Sequence, residues 1–80
     1  MKVRIIVMPK KTVLDPQGKT VKHALESMNF RGIKGVRVGK FMEIELEGGT
    51  EAELKKRIDE ACRKLLSNPV IEEYTFEVHG

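Results

Sequence analysis

Apolar positions recur along this chain with two different periods, and the switches between them mark its elements. Val3, Ile5 and Val7 alternate with Arg4, Ile6 and Met8. Side chains on a strand point to opposite faces with period two, so a strand is predicted from Val3 to Met8. Ile6 and Met8 make the second face apolar as well, which suits a central strand. Pro9 and Lys10-Lys11 end it, and Thr12-Val13-Leu14 is a connector. Val21, Ala24, Leu25 and Met28 then fall at i, i+3, i+4 and i+7, one stripe of a helix. Asp15 is the expected N-cap, Pro16 suits the first helical position, and Asn29 and Gly32 mark the exit. Thr50-Glu51-Ala52-Glu53 has the form of a capping box. It opens a second helix with Leu54, Ile58, Ala61, Cys62 and Leu65 on its buried stripe, stopped by Asn68-Pro69. A last strand alternates Tyr74, Phe76 and Val78 with Glu73, Thr75 and Glu77.

Between the helices, Gly35 to Glu47 predicts two short strands. Val36 and Val38 alternate with Arg37, and Met42, Ile44 and Leu46 alternate with Glu43, Glu45 and Glu47. A two-residue reversal at Gly39-Lys40 would set Val36 opposite Glu43. A three-residue loop, Gly39 to Phe41, sets Val38 opposite Met42 and Val36 opposite Ile44, and keeps the aliphatics on one face. Phe41 then lies at the loop or on the outer face. Gly48-Gly49 breaks the pattern after Glu47.

The order is β-α-β-β-α-β. Right-handed crossovers on one sheet give an α+β, ferredoxin-like two-layer sandwich. The expectation is a four-stranded antiparallel sheet with both helices on one face, in a single domain over residues 1–80. The opposite face would carry Ile6 and Met8 beside Arg4, Arg37 and the three glutamates, a mixed surface suited to a homodimer or homotetramer.

Composition sharpens this only in places. A chain of 80 residues with three Phe, one Tyr and no Trp must build its core from aliphatics. A core that small often relies on a partner or an oligomer. Fifteen basic against 12 acidic residues leave +3, a balance that permits an anionic partner without demanding one. The single cysteine rules out an internal disulfide and fits a reducing cytoplasm. No apolar run approaches the length of a membrane span, and no signal-peptide layout is present.

Candidate chemistry is sparse. Cys62 sits on an apolar stripe and is expected to be a buried thiol. His23 and His79 have no second ligand at metal spacing. Glu43, Glu45 and Glu47 share a strand face that offers no cleft, so salt links with Arg4 and Arg37 are their expected use. Lys10, Lys11, Lys19, Arg31, Lys34, Arg37 and Lys40 gather near the first helix and the reversal, either as a solvated rim or as a docking surface. Gly39-Lys40 lacks the glycine spacing of a P-loop. Gly18 in the first helical turn costs roughly 1 kcal/mol against Ala, which points to something approaching the backbone closely there.

Val13-Leu14-Asp15-Pro16-Gln17-Gly18-Lys19, Val36-Arg37-Val38-Gly39-Lys40, and Cys62 through Leu65-Leu66 to Asn68-Pro69-Val70-Ile71-Glu72 and Tyr74 together resemble the pattern of the PurS family. The resemblance runs over nearly the whole chain, with Ser67 standing where alanine is common. It implies the small, non-catalytic subunit of phosphoribosylformylglycinamidine (FGAM) synthase, a multisubunit ATP-dependent ligase of purine biosynthesis. That enzyme turns formylglycinamide ribonucleotide, ATP and glutamine into formylglycinamidine ribonucleotide, ADP, phosphate and glutamate. The implied partners are the large PurL synthase subunit and the PurQ glutaminase subunit, bridged by the small subunit for ammonia transfer. ATP and Mg would act in the whole complex, with no cofactor bound by this chain alone.

The docking elements expected on this basis are Asp15, Pro16, Gln17, Gly18, Arg37, Gly39 and Lys40, because a loop and a turn can be presented by a rigid sheet. Ile6 and Met8 are the expected oligomer face. The rival is a regulatory module of the ACT type, which shares the element order and binds small molecules. An RNA-binding sandwich is disfavoured, since Arg31-Gly32-Ile33-Lys34-Gly35-Val36 lacks stacking aromatics; neither nucleic acid nor membrane is an expected partner.

Overall fold

A computed structural model describes residues 1–79. In chain order the elements are β1 (Lys2–Pro9), α1 (Pro16–Ser27), β2 (Lys40–Glu45), α2 (Glu51–Ala61), a π turn (Cys62–Leu66) and β3 (Glu72–His79). β1 is central, as its two apolar faces require: the sheet order is β2-β1-β3 with both pairings antiparallel. Val3 lies opposite Ile44 and Val78, and Ile5 lies opposite Met42 and Phe76. That register stacks every alternating aliphatic on one face. Val3, Ile5 and Val7 are fully buried there against Ile58 and Cys62, with Met42, Ile44, Leu46, Tyr74, Phe76 and Val78 around them. Each such aliphatic is worth ~1.5–3 kcal/mol when wholly removed from water.

Three expectations are corrected. The hairpin of Val36–Val38 on Met42–Ile44 does not form, and the four-stranded sheet is three-stranded among the described residues. Residues 30–39 carry no regular structure because their polar groups are used elsewhere. The Val38 amide donates to Asp15, and the Arg37 guanidinium donates to the Pro9 carbonyl. β2 therefore begins at Lys40 and pairs directly with β1.

The second correction concerns the helices, which do not share a face. α2 covers the sheet with Leu54 and Ile58, whereas Gly18 is the one buried residue of α1. Val21 is 40% and Met28 69% exposed. The radius of gyration is 16.1 Å, against about 12 Å for a compact chain of this length.

The third concerns the end of the second helix, where Leu65 is 81% exposed and Leu66 takes the packed position. The Ser67 amide and hydroxyl both donate to the Cys62 carbonyl, at 3.0 and 2.7 Å. A turn closed by i→i+5 bonds holds more residues than an α-turn, so the inward position slips by one.

Other local expectations match. Thr50 caps α2 by accepting from the Glu53 amide at 3.2 Å. Gly48 and Gly49, at φ 77 and 81, make the break before it. On the outer face Arg4 and Lys2 approach Glu43 at 3.5 and 3.7 Å, and Ile6 lies opposite Phe41. No helix among the described residues is long and apolar enough to cross a membrane.

Candidate docking site

The expected docking elements converge where β1 ends, β2 begins and α1 leaves the sheet. Asp15 organises them. One carboxylate oxygen caps α1 by accepting from the Gly18 amide at 3.0 Å, and the other accepts from the Val38 amide at 2.9 Å. A carboxylate held by backbone donors favours its charged form. The Gly18 amide foremost, and then that of Val38, lower the Asp15 pKa below its ordinary value. Gly18 is buried because the chain crosses it: a Cβ there would overlap the Val36 carbonyl oxygen and sit 2.9 Å from its carbon. The close approach implied by a glycine in a helical turn is therefore made by this chain's own backbone.

Gly39 serves the same purpose on the other side, since a Cβ there would overlap the Val7 carbonyl oxygen and the Met8 sulfur. Arg37 Nη1 donates to the Pro9 carbonyl at 3.0 Å and lies 3.4 Å from Glu73 Oε1. Lys40 Nζ is 4.0 Å from Glu72 Oε2. Pro16 and Gln17 stay exposed on the first turn of α1. Asp15, Gly18, Arg37 and Gly39 are thus locked into one clamp, with Lys40 at its edge. Beside it runs an open groove of about 490 Å³ lined by Lys11, Val13, Asp15, Lys34 and Arg37.

Sequence reasoning missed Glu72 and Glu73, the acids on which the two cations rest. The signal was in the turn before β3, where the Asn68 amide donates to Glu72 Oε1 at 2.7 Å. Arg37 was assigned to the β2 glutamates and pairs with β3 instead.

On the outer face Ile6 is 45% and Phe41 59% exposed, with Met8 half-buried, so the expected oligomer face is an open apolar strip. Cys62, Tyr74 and Asp59 make contacts within the fold. Cys62 is fully buried, and burial foremost, then the Asp59 carboxylate, pushes its thiol pKa up. The Tyr74 hydroxyl donates to Asp59 Oδ1 at 2.6 Å, which raises the phenol pKa. Arg63 lies 3.1 Å from the other Asp59 oxygen. Asp59 so fastens α2 to β3. Among the described residues no three His, Cys, Asp or Glu side chains come together to hold a metal ion.

These features define a small α+β domain with one stiffened, charged end. Comparison with known proteins makes the class specific. Residues 2–80 match the family model "PurS: Phosphoribosylformylglycinamidine (FGAM) synthase". The chain is 47% identical over 77 residues to the FGAM synthase subunit PurS of Bacillus subtilis, covering 96% of this chain and 90% of that one. It is 40% identical to the PurS subunit of Methanocaldococcus jannaschii, covering 96% and 93%. Among solved structures, B. subtilis PurS superposes with a TM-score of 0.88 at 46% identity, over 99% of this chain and 98% of that one. A chain in the structure of PurLQS from Thermotoga maritima superposes with a TM-score of 0.83 at 33% identity, over 95% and 93%. The chain belongs to the PurS family, the small subunits of FGAM synthase in purine biosynthesis.

Proposed function

We propose that this chain is the non-catalytic bridge of a split FGAM synthase, one PurS-like domain over residues 1–80 that joins a large PurL synthase subunit to a PurQ glutaminase subunit in the cytoplasm. The observation that carries the reading is the Asp15 clamp, which fixes a helix start, a loop and the end of β1 into one rigid end. A preorganised surface loses little conformational entropy on binding, which is what a docking element needs. On this reading Asp15 to Gly18, Arg37, Gly39 and Lys40 present that end to a partner subunit. The finer fold is part of the proposal: a partner strand along the free edge of β2 would complete a four-stranded, ferredoxin-like sheet. ATP and Mg act in the whole complex. On this reading Cys62 is a core residue and not the glutaminase nucleophile.

Homo-oligomerisation on the outer strip accompanies this role. Ile6 and Met8 are its centre, because an exposed Ile-Phe pair on a strand face is apolar surface that association removes from water. Replacing both with Lys should separate the copies, since two unpaired charges would be buried.

Reconstitution tests the main reading. Mixed with large and glutaminase subunits, the chain should restore glutamine-dependent amidine formation that it lacks alone. Arg37→Glu with Lys40→Glu should weaken assembly while the isolated chain keeps its fold, at a somewhat lower melting temperature because Arg37 gives up its bond to Pro9 and the new carboxylates face Glu72 and Glu73. Normal assembly and rate in that double variant would refute the docking surface. A wild-type chain that stimulates no glutamine-dependent step would refute the role itself and favour a small-molecule module of the ACT type.

A further inference from the structure

The small net charge of this chain hides an uneven distribution. Residues 10–37 hold seven basic side chains and two acidic ones, whereas residues 38–80 hold six basic and ten acidic. Outside the first stretch most cations rest on carboxylates: Lys2 and Arg4 on Glu43, Lys40 on Glu72, Lys55 on Glu51, Arg63 on Asp59 and Lys64 on Glu60. Within it only Arg37 does so. Among the described residues no carboxylate lies within 4.0 Å of Lys10, Lys11, Lys19, Lys22, Arg31 or Lys34. Two of these unpaired lysines, Lys11 and Lys34, line the open groove beside the clamp together with Arg37. The one carboxylate in the lining is Asp15, whose two oxygens are taken by the Gly18 and Val38 amides. The amides of Lys34, Gly35, Val36 and Arg37 donate to no acceptor among the described residues. Val13 and Val36 add half-buried aliphatic surface to the same groove.

We infer that this groove receives an acidic, extended segment of the partner subunit that docks on the clamped end. Its carboxylates meet Lys11 and Lys34, its backbone carbonyls accept from the unused amides of residues 34–37, and its aliphatic side chains lie on Val13 and Val36. Backbone donors, cations and apolar surface in one groove are the recognition set for a peptide, with charge giving register and encounter rate. The occupant is not a small anion, because pockets for small ligands bury most of their occupant and this groove is open. Nucleic acid would stack its bases on aromatic side chains, and the lining holds none. A second copy of this chain offers few carboxylates, since Glu43, Glu51, Asp59, Glu60, Glu72 and Glu73 already hold cations. The identity of the partner rests on the bridging role proposed above; the acidic preference of the groove does not.

Two measurements on the full chain decide it. Lys11→Glu with Lys34→Glu changes two exposed side chains that hold no carboxylate, so the variant should keep its strand and helix circular dichroism. Mixed with the large and glutaminase subunits at low salt, it should associate at least about tenfold more slowly than wild type. Salt near 1 M, where screening reaches within about 3 Å, should remove most of that difference. Equal rates at low salt would overturn the inference, and a wild-type chain that still restores amidine formation would leave the bridging role standing. The second measurement uses no subunit. A fluorescein-labelled peptide of alternating Asp and Val should bind the wild-type chain at low salt, shift the Gly35 and Val36 amide resonances, and lose at least about tenfold in affinity on the variant. Peptide binding by a chain that stimulates no glutamine-dependent step would uphold the groove while the bridging role fell. No peptide binding, shifts elsewhere on the chain, or tighter binding of an oligouridylate of equal charge would each overturn the inference.

Discussion

Gly18→Ala separates two physical effects of opposite sign. In an isolated helix alanine is better than glycine by about 1 kcal/mol, so propensity alone makes this a stabilising change. In the folded chain the new methyl would overlap the Val36 carbonyl oxygen, with the carbonyl carbon at 2.9 Å and Asp15 Oδ2 at 2.8 Å. Those atoms cannot swing away like the end of a flexible side chain. The Val36–Val38 backbone is pinned by the Val38–Asp15 hydrogen bond, so relief means opening the clamp. Overpacking costs about 1–3 kcal/mol, and opening the clamp also gives up the Val38–Asp15 hydrogen bond. The net expectation is a destabilisation of about 1–2 kcal/mol. Gly35→Ala is the control: nothing lies within 4 Å of a Cβ there, so it should be neutral or mildly stabilising. Urea unfolding reads the free energies, and amide exchange at Val38 reads the clamp. A Gly18→Ala chain as stable as wild type, with Val38 still protected, would refute the account.

Leu65→Ala should change stability by less than about 0.5 kcal/mol because the side chain is solvated, whereas Leu66→Ala should cost about 1–2 kcal/mol as a part-buried truncation. The reverse order, by urea unfolding, would mean that the second helix continues as α beyond Cys62. Asp15 has its folded pKa below the unfolded value, so its contribution is present above the unfolded pKa and lost as pH falls through the folded one. The Val38 amide resonance should accordingly titrate below the ordinary aspartate range, and Asp15→Asn should flatten that acid limb; a resonance that titrates as an unperturbed aspartate would contradict the clamp.

Much of the fold was legible because period and capping are local. β1 announced its central place through apolar residues on both faces, and Asp15 and Thr50 announced the helix starts. The failures share a cause, which is that distant groups outbid the local pattern. Val36 and Val38 alternate like a strand, yet the chain there is claimed by Asp15 and Pro9. Leu65 fits an α-stripe, but a Ser67 side chain that closes on Cys62 shifts the phase. For the site, Gly18 was the informative residue, since its conformational cost had no local reason. The partners of Arg37 and Lys40 could not be read, because Glu72 and Glu73 are more than 30 positions away along the chain.

The central position of β1 also governs how this molecule can come into being. Lys2 pairs with Glu45 on one side and with His79 on the other. Nearly every sheet contact is therefore non-local, and closing such long loops before the contacts form slows folding. During synthesis the first strand emerges with both edges bare, and its second edge stays bare until residues 72–79 have left the ribosome. A strand with Ile5, Ile6 and Val7 in a row is then open to pairing with other chains. Assembly inside a cell so depends on how long that nascent strand is exposed, as well as on the stability of the finished sheet.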